Sequence, residues 1–243
     1  MLLAADVSSM TVTFDFSGRV AVVTGACGAL GSAVATAFAD AGATVAACDI
    51  VDIEDDDALL DPSQNIDFYQ ADFTDETAVA ETMDAIADDH GGIDFLLNIA
   101  GTWRGGDPIE NTDQSQFDML FAVNLKTMFL ASKHALPHLQ DSEGSIVSVS
   151  ARSGLEGGEG DGIYRSTKAS VRILTETIAE ENLGTVRANC VMPSVLDTPM
   201  NREMMTPSEE WLDPTDVAEV MQFLCSDAAS VTSGAAVPVY GEA

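Results

Sequence analysis

The chain has 243 residues, is 46% hydrophobic, and sets 40 acids against 10 bases for a formal net charge of -30. Such a field excludes nucleic acid and anionic membrane surfaces as partners, and no apolar run reaches the 18 residues that a membrane-crossing helix needs. The length suits one α/β domain with a sizeable core.

Only three lysines occur, Lys126, Lys133 and Lys168. Self-repulsion destabilises so acidic a compact chain unless salt screens it, the Debye length falling to about 3 Å at 1 M. An acidic, lysine-poor, apolar composition is the pattern of proteins that work in molar salt, the halophilic type. Disorder and an acid-rich surface for a partner are the competing readings, and long periodic apolar segments argue against the first. Cys27, Cys48, Cys190 and Cys225 show no CxxC spacing and read as reduced, buried thiols of a cytoplasmic protein. His134 and His138 stand four apart with Pro137 between them and no HExxH, so no metal site is expected.

Residues 1–17 lack the basic start of a secretory signal and read as a loose leader to a single domain over 18–243. The β-branched run Val20 to Val23 predicts a strand, followed by a turn holding Gly25, Gly28 and Gly31. A helix is expected from about Ala29 to Ala41, ended by Gly42, and a second strand from Thr44 to Asp49. That is one β-α-β unit. Small residues in its turn let the backbone approach a pyrophosphate at the helix N-terminus, where free N–H groups favour anions. Asp49 follows Gly31 by 18 residues, the place of an acid that holds ribose hydroxyls. It would repel a 2'-phosphate, and no nearby base offers to receive one, so NAD is favoured over NADP.

Asp52 to Asp61 reads as a solvated acidic loop. A third strand, Ile66 to Ala71, ends at Asp72; a helix over 75–89 and a strand ending at Asn98 follow. The loop with Trp103 and Arg104 leads to a long helical segment, roughly Asp113 to His134, that holds Asn124. Strand five spans 144–150, strand six Val186 to Met192, and the proline-containing stretch after it suits a flap over a substrate. A last helix runs from Pro214 to Cys225, and a seventh strand ends the sheet. Alternation of strands and helices predicts a doubly wound, mostly parallel sheet flanked by helices. Ligands then meet the carboxyl ends of the strands, where Asp72, Asn98, Ala100 and Gly101 fall.

Tyr164 and Lys168 are four apart in a segment with helical periodicity, so they share one face. A nearby ammonium favours phenolate and lowers a tyrosine pKa that is ordinarily about 10, which makes the phenol a usable proton donor and acceptor. The same spacing also occurs as a surface pair.

Together these residues resemble the short-chain dehydrogenase/reductase family over Gly18 to Gly241. Its TGxxxGxG turn is matched by Thr24, Gly25 and Gly31, with Ala29 at the middle glycine and Gly28 one place early, its NNAG by Asn98, Ala100 and Gly101, its helix asparagine by Asn124, its YxxxK by Tyr164 and Lys168, and its PG-x3-T segment by Pro193, Ser194 and Thr198. The resemblance implies a seven-stranded Rossmann domain and a small-molecule substrate. Tyr164 would be the general acid/base, Lys168 would bind the nicotinamide ribose, and Asn124 would hold a water of a proton relay. Asp72 would contact the adenine, Val195 and Thr198 the carboxamide, with Leu30 and Phe73 completing the cofactor set. The family also implies a homodimer or homotetramer.

The family serine position, thirteen before the tyrosine, holds Ala151. Loss of such a donor costs about 2.7–4 kcal/mol where an oxyanion develops. Ser153 or a water is the candidate to replace it; Ser150 also flanks the position, but strand alternation points it elsewhere. An alanine there is a feature of the dihydropteridine reductase branch, which the segments around Trp103, Arg152 and Leu196 to Arg202 also resemble. That implies a pterin-like imine as a second substrate class, with Trp103 stacking on its ring. A nucleotide-binding protein with little turnover is the alternative of a different kind. Arg104, Arg152 and Arg165 fall near the inferred site and point to an anionic or carbonyl-rich ligand, or else to pairing with Glu156 and Asp161.

Overall fold

The computed structural model describes residues 12–61 and 64–241. Seven strands form one sheet in the order β3-β2-β1-β4-β5-β6-β7, every neighbouring pair parallel. The strands are β1 (Val20–Thr24), β2 (Thr44–Asp49), β3 (Ile66–Gln70), β4 (Phe95–Asn98), β5 (Ser145–Val149), β6 (Arg187–Pro193) and β7 (Ala236–Val239). The doubly wound Rossmann expectation therefore holds.

Both faces of the sheet are covered, and side-chain alternation assigns each residue to one of them. Ala21 and Val23 of β1 join a core with helices α1 (Ala29–Asp40) and α7 (Pro214–Cys225), whereas Val20 and Val22 join one with α2 (Glu76–His90), α4 (Thr127–Ser142) and α5 (Gly162–Glu181). Helix starts follow capping chemistry. The Asp75 carboxylate accepts from the Thr77 and Ala78 N–H groups at α2, and Asp213 with Pro214 starts α7.

Two expectations need correction. Residues 1–11 of the expected loose leader lie outside the described residues, but its end is packed. Phe16 is buried, its ring 5.1 Å from those of both Phe38 and Phe95. The long segment expected over 113–134 is α3 (Gln114–Phe121), a π turn (Ala122–Lys126) and α4, which runs on to Ser142. Pro137 sits inside α4; it removes one backbone bond, and packing on α2, β4 and β5 keeps the helix going. The four cysteines are buried and free, and no metal-holding group of side chains occurs among the described residues.

Candidate active site

The site is built from loops at the carboxyl edge of the sheet. Thr24 ends β1 and its hydroxyl oxygen accepts from the N–H groups of Ile99 (3.0 Å) and Ala100 (3.1 Å). This fastens the glycine turn to the end of β4. Gly25 takes φ +66, and a Cβ there would lie 2.8 Å from the Ala100 Cα. Gly31 closes the turn against the helix. Asp49 reaches back from β2: its carboxylate accepts from the Cys27 N–H (2.8 Å) and the Val51 N–H (3.0 Å). The α1 N-terminus, by contrast, has no side-chain cap and no acid in its first turn. In a chain with 40 acids, that leaves an anion-ready helix end near the Asp49 carboxylate.

Asn124, Lys168 and Gly101 meet one turn away from Tyr164. The π turn carries Asn124 inward to full burial. Its Oδ1 accepts from the Thr102 N–H (2.7 Å), and its Nδ2 donates to the Thr102 carbonyl (2.9 Å) and the Thr167 hydroxyl (3.1 Å). A Cβ on Gly101 would lie 3.1 Å from Asn124 Oδ1 and 3.3 Å from Lys168 Nζ, so both groups crowd the end of β4. Lys168 is buried and donates to the Val149 carbonyl at 2.9 Å.

The electrostatics differ from the simple expectation for a tyrosine beside a lysine. Lys168 Nζ stands 5.9 Å from the centroid of the Tyr164 ring. Burial, with a smaller push from the Asp161 charge, raises the Tyr164 phenol to about 12, while burial lowers Lys168 to about 8. Desolvation disfavours each charged form and outweighs attraction across that gap.

Several candidates turn their side chains away from the site. Asn98 is buried; its Nδ2 donates to the Ser132 and Ser148 hydroxyls, and its Oδ1 has no hydrogen-bond partner among the described residues. Phe73 likewise buries its ring in the α2 core and Leu30 its side chain in the α1 core. The Ser150 hydroxyl is buried and donates to the Lys168 carbonyl at 2.7 Å, which removes it as a substrate donor. That leaves half-buried Ser153 as the hydroxyl nearest Ala151 in the chain. Asp72 accepts from the Thr74 N–H and hydroxyl, and the Thr198 hydroxyl oxygen caps a short helix, α6 (Pro199–Met204). Val195 and Trp103 are exposed at the rim. Arg165 pairs with Asp161 at 2.6 Å, whereas Arg152 lies over the Tyr240 ring.

A family model described as enoyl-(acyl carrier protein) reductase matches residues 25–241. A cis-4-hydroxycyclohexanecarboxylate dehydrogenase of Sinomonas cyclohexanicum is 34% identical over 240 residues, 93% of this chain and 96% of that protein. A crystal structure from Brucella melitensis described as short-chain dehydrogenase/reductase SDR:glucose/ribitol dehydrogenase has a TM-score of 0.86 at 28% identity, covering 95% and 98% of the two chains. The chain belongs to the short-chain dehydrogenase/reductase family. A further solved structure, ElxO with NADP bound, matches with a TM-score of 0.83 at 25% identity, over 92% of this chain and 97% of that one.

Two residues of this short-chain dehydrogenase/reductase escaped the sequence reading. Thr102 is the partner that orients Asn124, and Tyr240 is the partner of Arg152. Thr102 adjoins a recognised motif and was within reach. Tyr240 is remote in sequence from Arg152, and no local pattern joins them.

Proposed function

We propose that the protein is an NAD(H)-dependent oxidoreductase that interconverts a carbonyl and its alcohol, with Tyr164 as general acid/base. The convergence of Asn124 and Lys168 on Gly101, one helical turn from Tyr164, carries this reading. The dinucleotide suits the residues present: an uncapped helix start, a turn with no room for side chains, and Asp49 between them. When bound, the nicotinamide supplies or receives the hydride. The chain supplies the rest. The Gly25–Gly31 turn receives the pyrophosphate, and Asp49 the ribose hydroxyls. Asp72, Val195 and Thr198 line the remainder of the cofactor path. In reduction Tyr164 gives its phenolic proton to the substrate oxygen, and Lys168 favours the phenolate left behind. Asn124 fixes the loop that borders this path through its paired bonds to Thr102.

The preference for NAD rests on Asp49. Its carboxylate is fixed by two backbone N–H groups, and the next residue, Ile50, is exposed and apolar. A 2'-phosphate would meet a fixed like charge there. ElxO binds NADP, so the scaffold alone does not choose. The substrate is a small molecule, and the Sinomonas relative acts on an alcohol borne by a carbon ring, which supports the carbonyl/alcohol class.

A pterin-like imine is the second reading, and one observation favours it. Ala151 has no hydroxyl, and Ser150 has spent its own on Lys168, so a substrate that develops no alkoxide would lose least. The test is NADH oxidation at molar KCl with quinonoid dihydropterin beside ketones, sugars and quinones. Carbonyl turnover is the expected result. Turnover confined to the pterin moves the assignment, and saturable NADH binding without any turnover favours a nucleotide-binding protein instead.

The same proposal includes a cytoplasmic homo-oligomer. An open groove of about 800 Å³ runs between α3–α4 and α5, lined by Phe121, Leu125, Phe129, Ile173 and Leu174. Phe129 and Ile173 are about half exposed, a large apolar face for a monomer. Asp118 and Lys126 border the groove and offer opposite charges to a second copy turned about a two-fold axis. Sedimentation equilibrium at molar KCl is expected to give a dimer or tetramer; a monomer at micromolar protein sinks this part.

A further inference from the structure

Seven arginines serve a chain with 40 acids, and five are accounted for. Arg19, Arg165, Arg172 and Arg202 form ion pairs, and Arg187 donates to the carbonyls of Leu224, Cys225, Ser226 and Ala229. Arg104 and Arg152 form no ion pair among the described residues. Both stand on loops that leave the carboxyl ends of strands, Arg104 after β4 and Arg152 after β5. Of the nearby carboxylates, Asp161 is engaged by Arg165, while exposed Glu156 and Glu159 form no ion pair with Arg152.

Arg152 is exposed but held. Its guanidinium carbon lies 4.8 Å from the centre of the Tyr240 ring. A cation on an aromatic face is braced there while the N–H edge of its planar fork stays free for an acceptor. Tyr240 follows β7, and its carbonyl accepts from the Ser194 hydroxyl at 3.2 Å. Ser194 follows β6 and precedes Val195. The pair thus spans the ends of β5 and β7 across the end of β6. Val149, three residues before Arg152, is the one whose carbonyl holds Lys168. A cation fixed at this rim stands at the carboxyl edge of the sheet, the edge that also carries the Lys168 contact.

We propose that Arg152, braced by Tyr240, receives a carboxylate on the substrate, so that the protein acts on hydroxy acids and their keto acids. This rests on the oxidoreductase reading and adds a substrate class to it. A single planar carboxylate matches the fork of a guanidinium. Phosphate esters and other polyanions match less well, because exposed Glu156 and Glu159 share the loop and the whole chain is strongly negative.

The test compares matched substrates at one fixed KCl concentration: acetoacetate with acetoacetamide, and an oxocyclohexanecarboxylate with its methyl ester. The wild type is expected to favour the carboxylate of each pair by about 10–100-fold in kcat/KM, the range for a hydrogen bond between charged groups. Arg152→Met is expected to erase that preference, mainly through KM of the acid, at an unchanged melting temperature. Tyr240→Phe should keep the preference and Tyr240→Leu should weaken it. Neutral ketones reduced as well as acids by the wild type would overturn the carboxylate site and leave the oxidoreductase reading standing. No turnover of either would sink the parent reading. The site itself is then decided by calorimetry of cyclohexanecarboxylate on the NADH-saturated protein, where equal affinity in Arg152→Met overturns the proposal.

Discussion

Tyr164→Phe is expected to lower turnover about 10²–10⁴-fold while the protein stays folded and still binds NADH. The substitution removes one hydroxyl from a half-buried ring and nothing else. The environment of that hydroxyl also gives the expected pH dependence. Burial and Asp161 push the phenol up to about 12, so it holds its proton across the neutral range, as a proton donor in reduction must. Lys168, lowered to about 8 by burial, is charged below that pH and neutral above it. Its charge is what favours the phenolate left by proton transfer. Reduction is therefore expected to be flat in neutral solution and to fall as pH rises through about 8. Oxidation needs the phenolate as base and should rise with pH over the same range. The stability contributions have distinct windows. Lys168 has a folded value below its ordinary 10.5, so its contribution is fully present above 10.5 and is lost as pH falls through about 8. Tyr164 has a folded value above its ordinary 10, so its contribution is present below 10 and lost as pH rises toward 12. Parallel kcat/KM and unfolding profiles check both. Near-wild-type turnover by Tyr164→Phe would remove the assigned role.

What the sequence disclosed about this site was what lies close along the chain. The glycine turn, Asp49 and the Tyr164–Lys168 pair follow from periodicities of a few residues, and the parallel, doubly wound sheet follows from alternating elements. Side-chain direction at strand ends was less legible. Asn98 stands at the carboxyl edge, yet its side chain turns to Ser132 and Ser148, whereas alternation alone turns Ser150 away, and it donates to the Lys168 carbonyl. The balance of electrostatic effects was illegible too, since spacing alone predicts a lowered phenol and only burial shows it raised. Phe16 looked like leader because its partners, Phe38 and Phe95, are distant in sequence. Arg152 was visible as a cation without a role, and its brace at Tyr240 needed the fold to bring β5 and β7 to one edge.

Gly31→Ala is expected to abolish NADH binding and to destabilise the fold by at least the overpacking cost of about 1–3 kcal/mol. The added Cβ would sit 1.9 Å from the Gly25 carbonyl oxygen and 2.8 Å from the Ala26 Cα. Both are backbone, so no side chain can turn aside. Nor can the turn retreat. Gly25 is itself in the left-handed region, its missing Cβ faces Ala100, and Thr24 pins the segment to Ile99 and Ala100. The relief that remains is a shift of α1, which packs along α7 and carries the N–H groups proposed to receive the pyrophosphate. Gly28→Ala is the discriminating control. Its Cβ would meet the Gly25 oxygen at 3.5 Å, an ordinary contact. That variant should keep its melting temperature and lose only the part of NADH affinity that depends on close backbone approach at the turn. Thermal unfolding and NADH titration of both variants separate the two effects. A Gly31→Ala protein with wild-type melting temperature and NADH affinity would show that the turn yields, and that the glycine is there for a reason other than space.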